Sequence, residues 1–85
     1  MNTHFWQPHA GARHAVAGTW SPLDVGTDRD ALCGAPVRIE RYEVGDMAWL
    51  WPTCEPCHAA AIELVDEAAR EELARLARLG YARMR

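Results

Sequence analysis

The spacing of apolar residues along this chain changes at Pro52. Before it, apolar positions tend to recur every second residue, the period of a half-buried strand. In "ARHAVA", Ala12, His14 and Val16 share one side, which predicts a short strand over residues 12–17. In "ALCGAPVRIERYEV", Val37, Ile39, Tyr42 and Val44 describe an extended segment with a slip near Arg41. Met47, Trp49 and Trp51 give "MAWLW" one apolar face and predict a further strand, reached through a hairpin turn at Gly45-Asp46. After Pro52 the period lengthens. Ile62, Val65, Ala69, Leu73, Leu76 and Leu79 follow a helical stripe, predicting a helix from about Glu55 to Leu79. Thr53 or Glu55 is its expected cap, and Pro56 fits the first turn, where a missing N–H costs nothing. Gly80 is the natural C-cap. Asp66 with Arg70, and Glu71 with Arg75, are acid-before-base pairs four residues apart.

The remaining segments lack a period. "MNTHFWQPHAG" mixes histidine, aromatic residues, proline and glycine, and "GTWSPLDVGTDRD" carries turn formers throughout. The expected layout is an irregular arm over residues 1–11, a β-rich core over 12–57, and a helix with a basic tail over 58–85. The fold class is α+β: a short β-sheet of treble-clef or zinc-ribbon type, and one long C-terminal helix. Such a helix is long for so small a domain, so its far end is expected to project or to meet a partner.

Size sharpens this picture. The chain has 85 residues, 49% of them hydrophobic and 25% charged, which describes one small globular domain rather than a disordered segment. A domain this small buries a modest core and often needs a staple. No apolar export segment opens the sequence and no window is long enough for a membrane span, so a reducing cytoplasmic location is expected. Three cysteines in that setting fit metal ligands better than disulfides, which would leave one over.

The candidate chemistry lies at the junction between the two periods. Cys54-x-x-Cys57 has the spacing of a metal knuckle, and a helix N-terminus stabilises thiolates through its free N–H groups. Cys33-Gly34 has the form of the second half of another knuckle, in which glycine lets backbone amides turn toward the sulfur. Its usual cysteine partner is missing, since Arg29, Asp30 and Ala31 stand there. A histidine must then complete the set. His14, on the strand-like run, is the first choice; His9 and His58 are the alternatives, and His4 lies in the arm.

The arrangement "ARHAV … ALCGAPV … WPTCEPC" resembles a family of short actinobacterial proteins described as zinc fingers with one histidine and three cysteine ligands. The resemblance covers roughly residues 5 to 60. It implies His14, Cys33, Cys54 and Cys57 as the metal ligands, and one structural Zn2+ as the cofactor. Three thiolates and one imidazole also suit zinc chemically. The layout is similar as well to the small cluster-binding WhiB-like regulators, but those use four cysteines. Ile62, Glu63 and Leu64 stand where the fourth should be.

These features favour an interaction module over an enzyme, because zinc held by four protein ligands has no place for water. The expected role is a protein-binding adaptor or transcription-associated regulator, with a protein partner or a homodimer formed through the C-terminal helix. Trp6, Trp20, Trp49 and Trp51 are expected mainly to pack the domain, with Trp6 and Trp20 the best placed for a partner. Arg75, Arg78, Arg83 and Arg85 form a run without acids that raises nucleic acid as a rival partner. The net charge of −3 weakens that rival. A thiol-based redox sensor is the third reading. Asp24, Asp28 and Asp30 form a solvated acidic loop rather than a calcium site.

Overall fold

Residues His4–His9 form strand β1 and Ala12–Ala17 form β2, an antiparallel hairpin pairing His4 with Ala17 and His9 with Ala12. The computed structural model describes residues 3–79, and most of the expected irregular arm is therefore strand. The turn is closed by Ala10 (φ 52°) and Gly11 (φ 86°). Positive φ at both central residues is the turn that matches the twist of paired strands. An alanine there lacks the usual Asn or Asp signature, and Pro8 inside the strand argues against pairing, so the local sequence hides the hairpin. Pro8 is tolerated because of where it sits. It faces Arg13, whose N–H and C=O point away from β1 to Pro52 O and Cys54 N, each at 2.9 Å. No ladder bond is lost at that pair.

The second hairpin also departs from expectation. Strand β3 (Asp28–Asp30) pairs with β4 (Pro36–Arg38), with Arg29 opposite Val37. The segment 28–30 carries little strand propensity and reads as loop. Its ladder is extended by Ile39 N–H to Thr27 O and by Gly26 N–H to Ile39 O. Arg38 reaches across it to Asp28 at 3.3 Å. Beyond Ile39, Tyr42 and Val44 belong to no strand, and Gly45-Asp46 turns into no hairpin. Met47–Leu50 is a short 3-10 helix in place of the expected strand. Only Ala48 of it is buried, while Met47 and Leu50 face outward, so no alternating face exists to seat it on a sheet.

Helix α1 spans Glu55–Arg78, close to the predicted limits. Cys54 is its N-cap residue, rather than Thr53 or Glu55, and Pro56 occupies the first turn as expected. Gly80, like Arg83 and Arg85, lies outside the described residues. Arg75 pairs with Glu72, three residues back, in place of the expected Glu71, and the Asp66–Arg70 pair is absent among the described residues. No helix here is long and apolar enough to cross a membrane.

The core is small. Its fully enclosed branched side chains are Val16, Val37 and Ile39, joined by Ala15, Ala31, Ala61 and Cys57. Phe5, Trp6, Trp20 and Leu32 pack against it from outside. Helix α1 enters this core through Cys57 and Ala61, with Leu64 half-buried on the same face. The predicted apolar stripe lies about 100° further round the helix and does not face the core. Ile62, Val65 and Leu73 remain exposed. A 24-residue helix is about 36 Å long, more than the small core can cover.

Candidate metal centre

Strand β2 organises the centre from its outer edge. Arg13 binds the 52–54 segment through its backbone, forming an isolated parallel bridge to Thr53. Two residues on, Ala15 O accepts the N–H of Leu32 at 2.8 Å. One strand edge therefore fixes both cysteine-bearing loops, and His14 projects between these two attachment points.

Cys33 sits in the turn that joins β3 to β4. Gly34 N–H bonds Ala31 O and Ala31 N–H bonds Ala35 O, both at 2.8 Å. Gly34 has φ 93°, a conformation that a residue with a Cβ resists. The turn aims the Ala35 N–H at the Cys33 sulfur, which holds that thiol below its ordinary pKa. The expected amide-lined knuckle is present. Cys54 and Cys57 lie at the start of α1, with His58 N–H bonding Cys54 O at 2.9 Å as the helix begins. Cys57 is fully buried, and burial pushes its thiol up to about 11. Burial also lowers the pKa of His14, with a smaller contribution from the nearby His9 charge.

These three segments bring four donors together. The ligand atoms of His14, Cys33, Cys54 and Cys57 all lie within 4.8 Å of one another. His14 Nδ1 is 3.8 Å from Cys33 Sγ and 3.7 Å from Cys57 Sγ. In a tetrahedral zinc site with bonds of about 2.3 Å to sulfur and 2.0–2.1 Å to nitrogen, neighbouring N and S donors stand about 3.6 Å apart. The observed separations agree to within a few tenths of an ångström, and the donor chemistry is that of zinc. Among the described residues no other His, Cys, Asp or Glu joins the group. His9 instead accepts the Arg38 N–H at 3.4 Å, and His58 points outward from the helix.

Arg13 contributes more than its backbone. Its Nε donates to Trp51 O at 2.9 Å and its Nη2 to Thr53 Oγ1 at 2.6 Å. The guanidinium thus clamps the chain just before Cys54 and engages the threonine that sequence suggested as a cap. Nothing in local sequence announces this role except adjacency to His14. The acidic loop is solvated as expected, its charges offset by Arg29 near Asp24 at 3.9 Å and by Arg38.

Fold and donor set together define a small α+β zinc-binding domain, its four donors suited to one structural ion. Comparison with protein families agrees: the model of the zinc-finger family named for one histidine and three cysteines matches residues 4–66. The chain belongs to that family. Comparison with curated proteins and with solved structures gives no significant match.

Proposed function

We propose that the chain is a structural zinc-binding interaction module, a protein-binding adaptor or transcription-associated regulator in which His14, Cys33, Cys54 and Cys57 hold one zinc ion. The observation that carries this reading is the convergence of four donors, from three distant segments, beside a core with only three buried branched side chains. Bound there, zinc supplies a cross-link whose binding free energy becomes folding free energy, about 10 kcal/mol apparent in zinc-finger peptides. Four protein donors fill a tetrahedral ion, so the module binds rather than catalyses.

Protein is the favoured partner because the exposed features are apolar. Phe5, Trp6, Trp20, Tyr42 and Trp49 line an open cavity of about 350 Å3 on the β side, with Arg41 and the buried Gln7. Tyr42 and Trp49 meet edge to face there, with ring centres 6.3 Å apart. Rigid aromatic surfaces of this kind are typical anchors for protein partners. Nucleic acid is the weaker reading: Arg75 is engaged by Glu72, and the net charge is negative.

Native mass spectrometry with metal analysis tests the proposal. The wild type should carry one zinc per chain, and His14→Ala should lose it or hold it far more weakly. A wild-type chain that folds without stoichiometric metal would overturn the reading.

A further inference from the structure

The apolar stripe of α1 faces away from the core, and its spacing has a symmetry. Ile62, Val65, Ala69, Leu73 and Leu76 stand at seven and four residues on either side of Ala69. Ile62 and Leu73, and likewise Val65 and Leu76, are eleven residues apart, a repeat that keeps one stripe along a nearly straight helix. Ile62 is 50% exposed, Val65 47% and Leu73 63%, so the larger side chains are in place and uncovered.

Charge along the same helix is polarised. The half from Glu55 to Glu67 carries Glu55, Glu63, Asp66 and Glu67 and no Arg or Lys. The half that follows carries Arg70, Arg75 and Arg78 against Glu71 and Glu72. Two such helices side by side in parallel would set acidic half against acidic half. Antiparallel, each acidic half meets the half that carries all three arginines, and the helix dipoles oppose as well.

We infer that the partner of this face is a second copy of the chain, docked antiparallel through α1 with Ala69 on the two-fold axis. The inference deepens the interaction-module reading and rests on it. In this register Ile62 lies against Leu76 of the other copy, and Val65 against its Leu73. The small Ala69 lets the backbones approach at the centre. Arg70 falls about one helical rise or two from Asp66 of the other copy, on the same flank, giving two symmetric ion pairs. Asp66 makes no ion pair within its own chain among the described residues, which leaves it available. The incoming Leu76 also meets an open groove between β1 and α1, lined by His4, Trp6, His58, Ile62, Val65 and Asp66.

The test is the mass of the zinc-loaded full chain at micromolar concentration, by sedimentation equilibrium and native mass spectrometry. The expected result is two chains with two zinc ions. Val65→Glu with Leu73→Glu should halve that mass while keeping one zinc per chain and the near-UV spectrum of the fold. Asp66→Arg and Arg70→Glu should each weaken self-association, and mixing the two should restore a dimer of one copy of each. A wild type that is monomeric with one zinc overturns the pairing but leaves the zinc module standing. A dimer indifferent to the glutamate pair, or a mixture that forms no heterodimer, overturns this face or this register. Failure to hold zinc at all is the separate failure of the reading beneath it.

Discussion

The metal-site end of the molecule and the far half of α1 are held by opposite means. At the metal end almost every stabilising contact joins residues distant in sequence: Arg13 to Trp51 and Thr53, Ala15 to Leu32, and His14 to Cys33 and Cys57. In the far half of the helix the bonds are local, from turn to turn, with Glu72 and Arg75 as a surface pair. Long-range closure costs loop entropy, which so small a core does little to offset, and local helix needs no closure. The first region therefore depends on an ion, and the second on its neighbours along the chain and on whatever covers its apolar stripe.

That contrast can be broken most directly at the ligands. Chelation of zinc, or Cys57→Ser, should abolish cooperative unfolding of the β-rich end, an effect on the order of 10 kcal/mol in apparent terms. Circular dichroism should then retain part of the helical signal while near-UV tryptophan signals collapse. A zinc-free protein with the same cooperative melt would show instead that packing suffices.

A smaller effect is expected one residue away. Arg13→Ala removes two hydrogen bonds that clamp the approach to Cys54, and should cost about 1–3 kcal/mol in denaturant unfolding of the zinc-loaded protein. Arg13→Lys should recover only part of this, since one ammonium cannot reproduce the fork.

Ala10 sharpens the comparison from the stabilising side. It holds φ 52° in the β1–β2 turn, where a Cβ is unfavourable, so Ala10→Asn should raise stability by about 0.5–1 kcal/mol. A neutral or destabilising result would mean the turn carries no strain worth relieving. The smallest change belongs to the helix. Leu73→Ala, at dilutions where the chain is monomeric, should move stability by less than about 0.5 kcal/mol, because its side chain is uncovered. Amide exchange should likewise be faster beyond Ala69 than around Ala61.

Legibility in the sequence follows the same division. Helix α1 was readable almost to its ends, because helix propensity, Pro56 and the apolar period are local signals. Strand β2 and the Cys33-Gly34 turn were readable for the same reason. The hairpin partners were not. Strand β1 contains a proline and closes through an alanine, and β3 is Asp-Arg-Asp; each becomes a strand because its partner supplies the ladder. The alternation in "MAWLW" pointed to a strand, yet with no sheet edge to receive it the segment coils into a 3-10 turn.

The candidate site divides in a similar way. Residue types and spacing named the three cysteines and placed His14 first among the histidines, because tetrahedral zinc chemistry restricts which side chains serve and how closely two can follow each other. Only the tertiary structure gathered them, since the outer edge of β2 presents Arg13 and Ala15 to two loops that have no affinity for each other in sequence. It alone showed that the apolar stripe of α1 turns away from the core, because Cys57 and Ala61 fix the helix rotation and a helix can bury only one face against a hairpin this narrow.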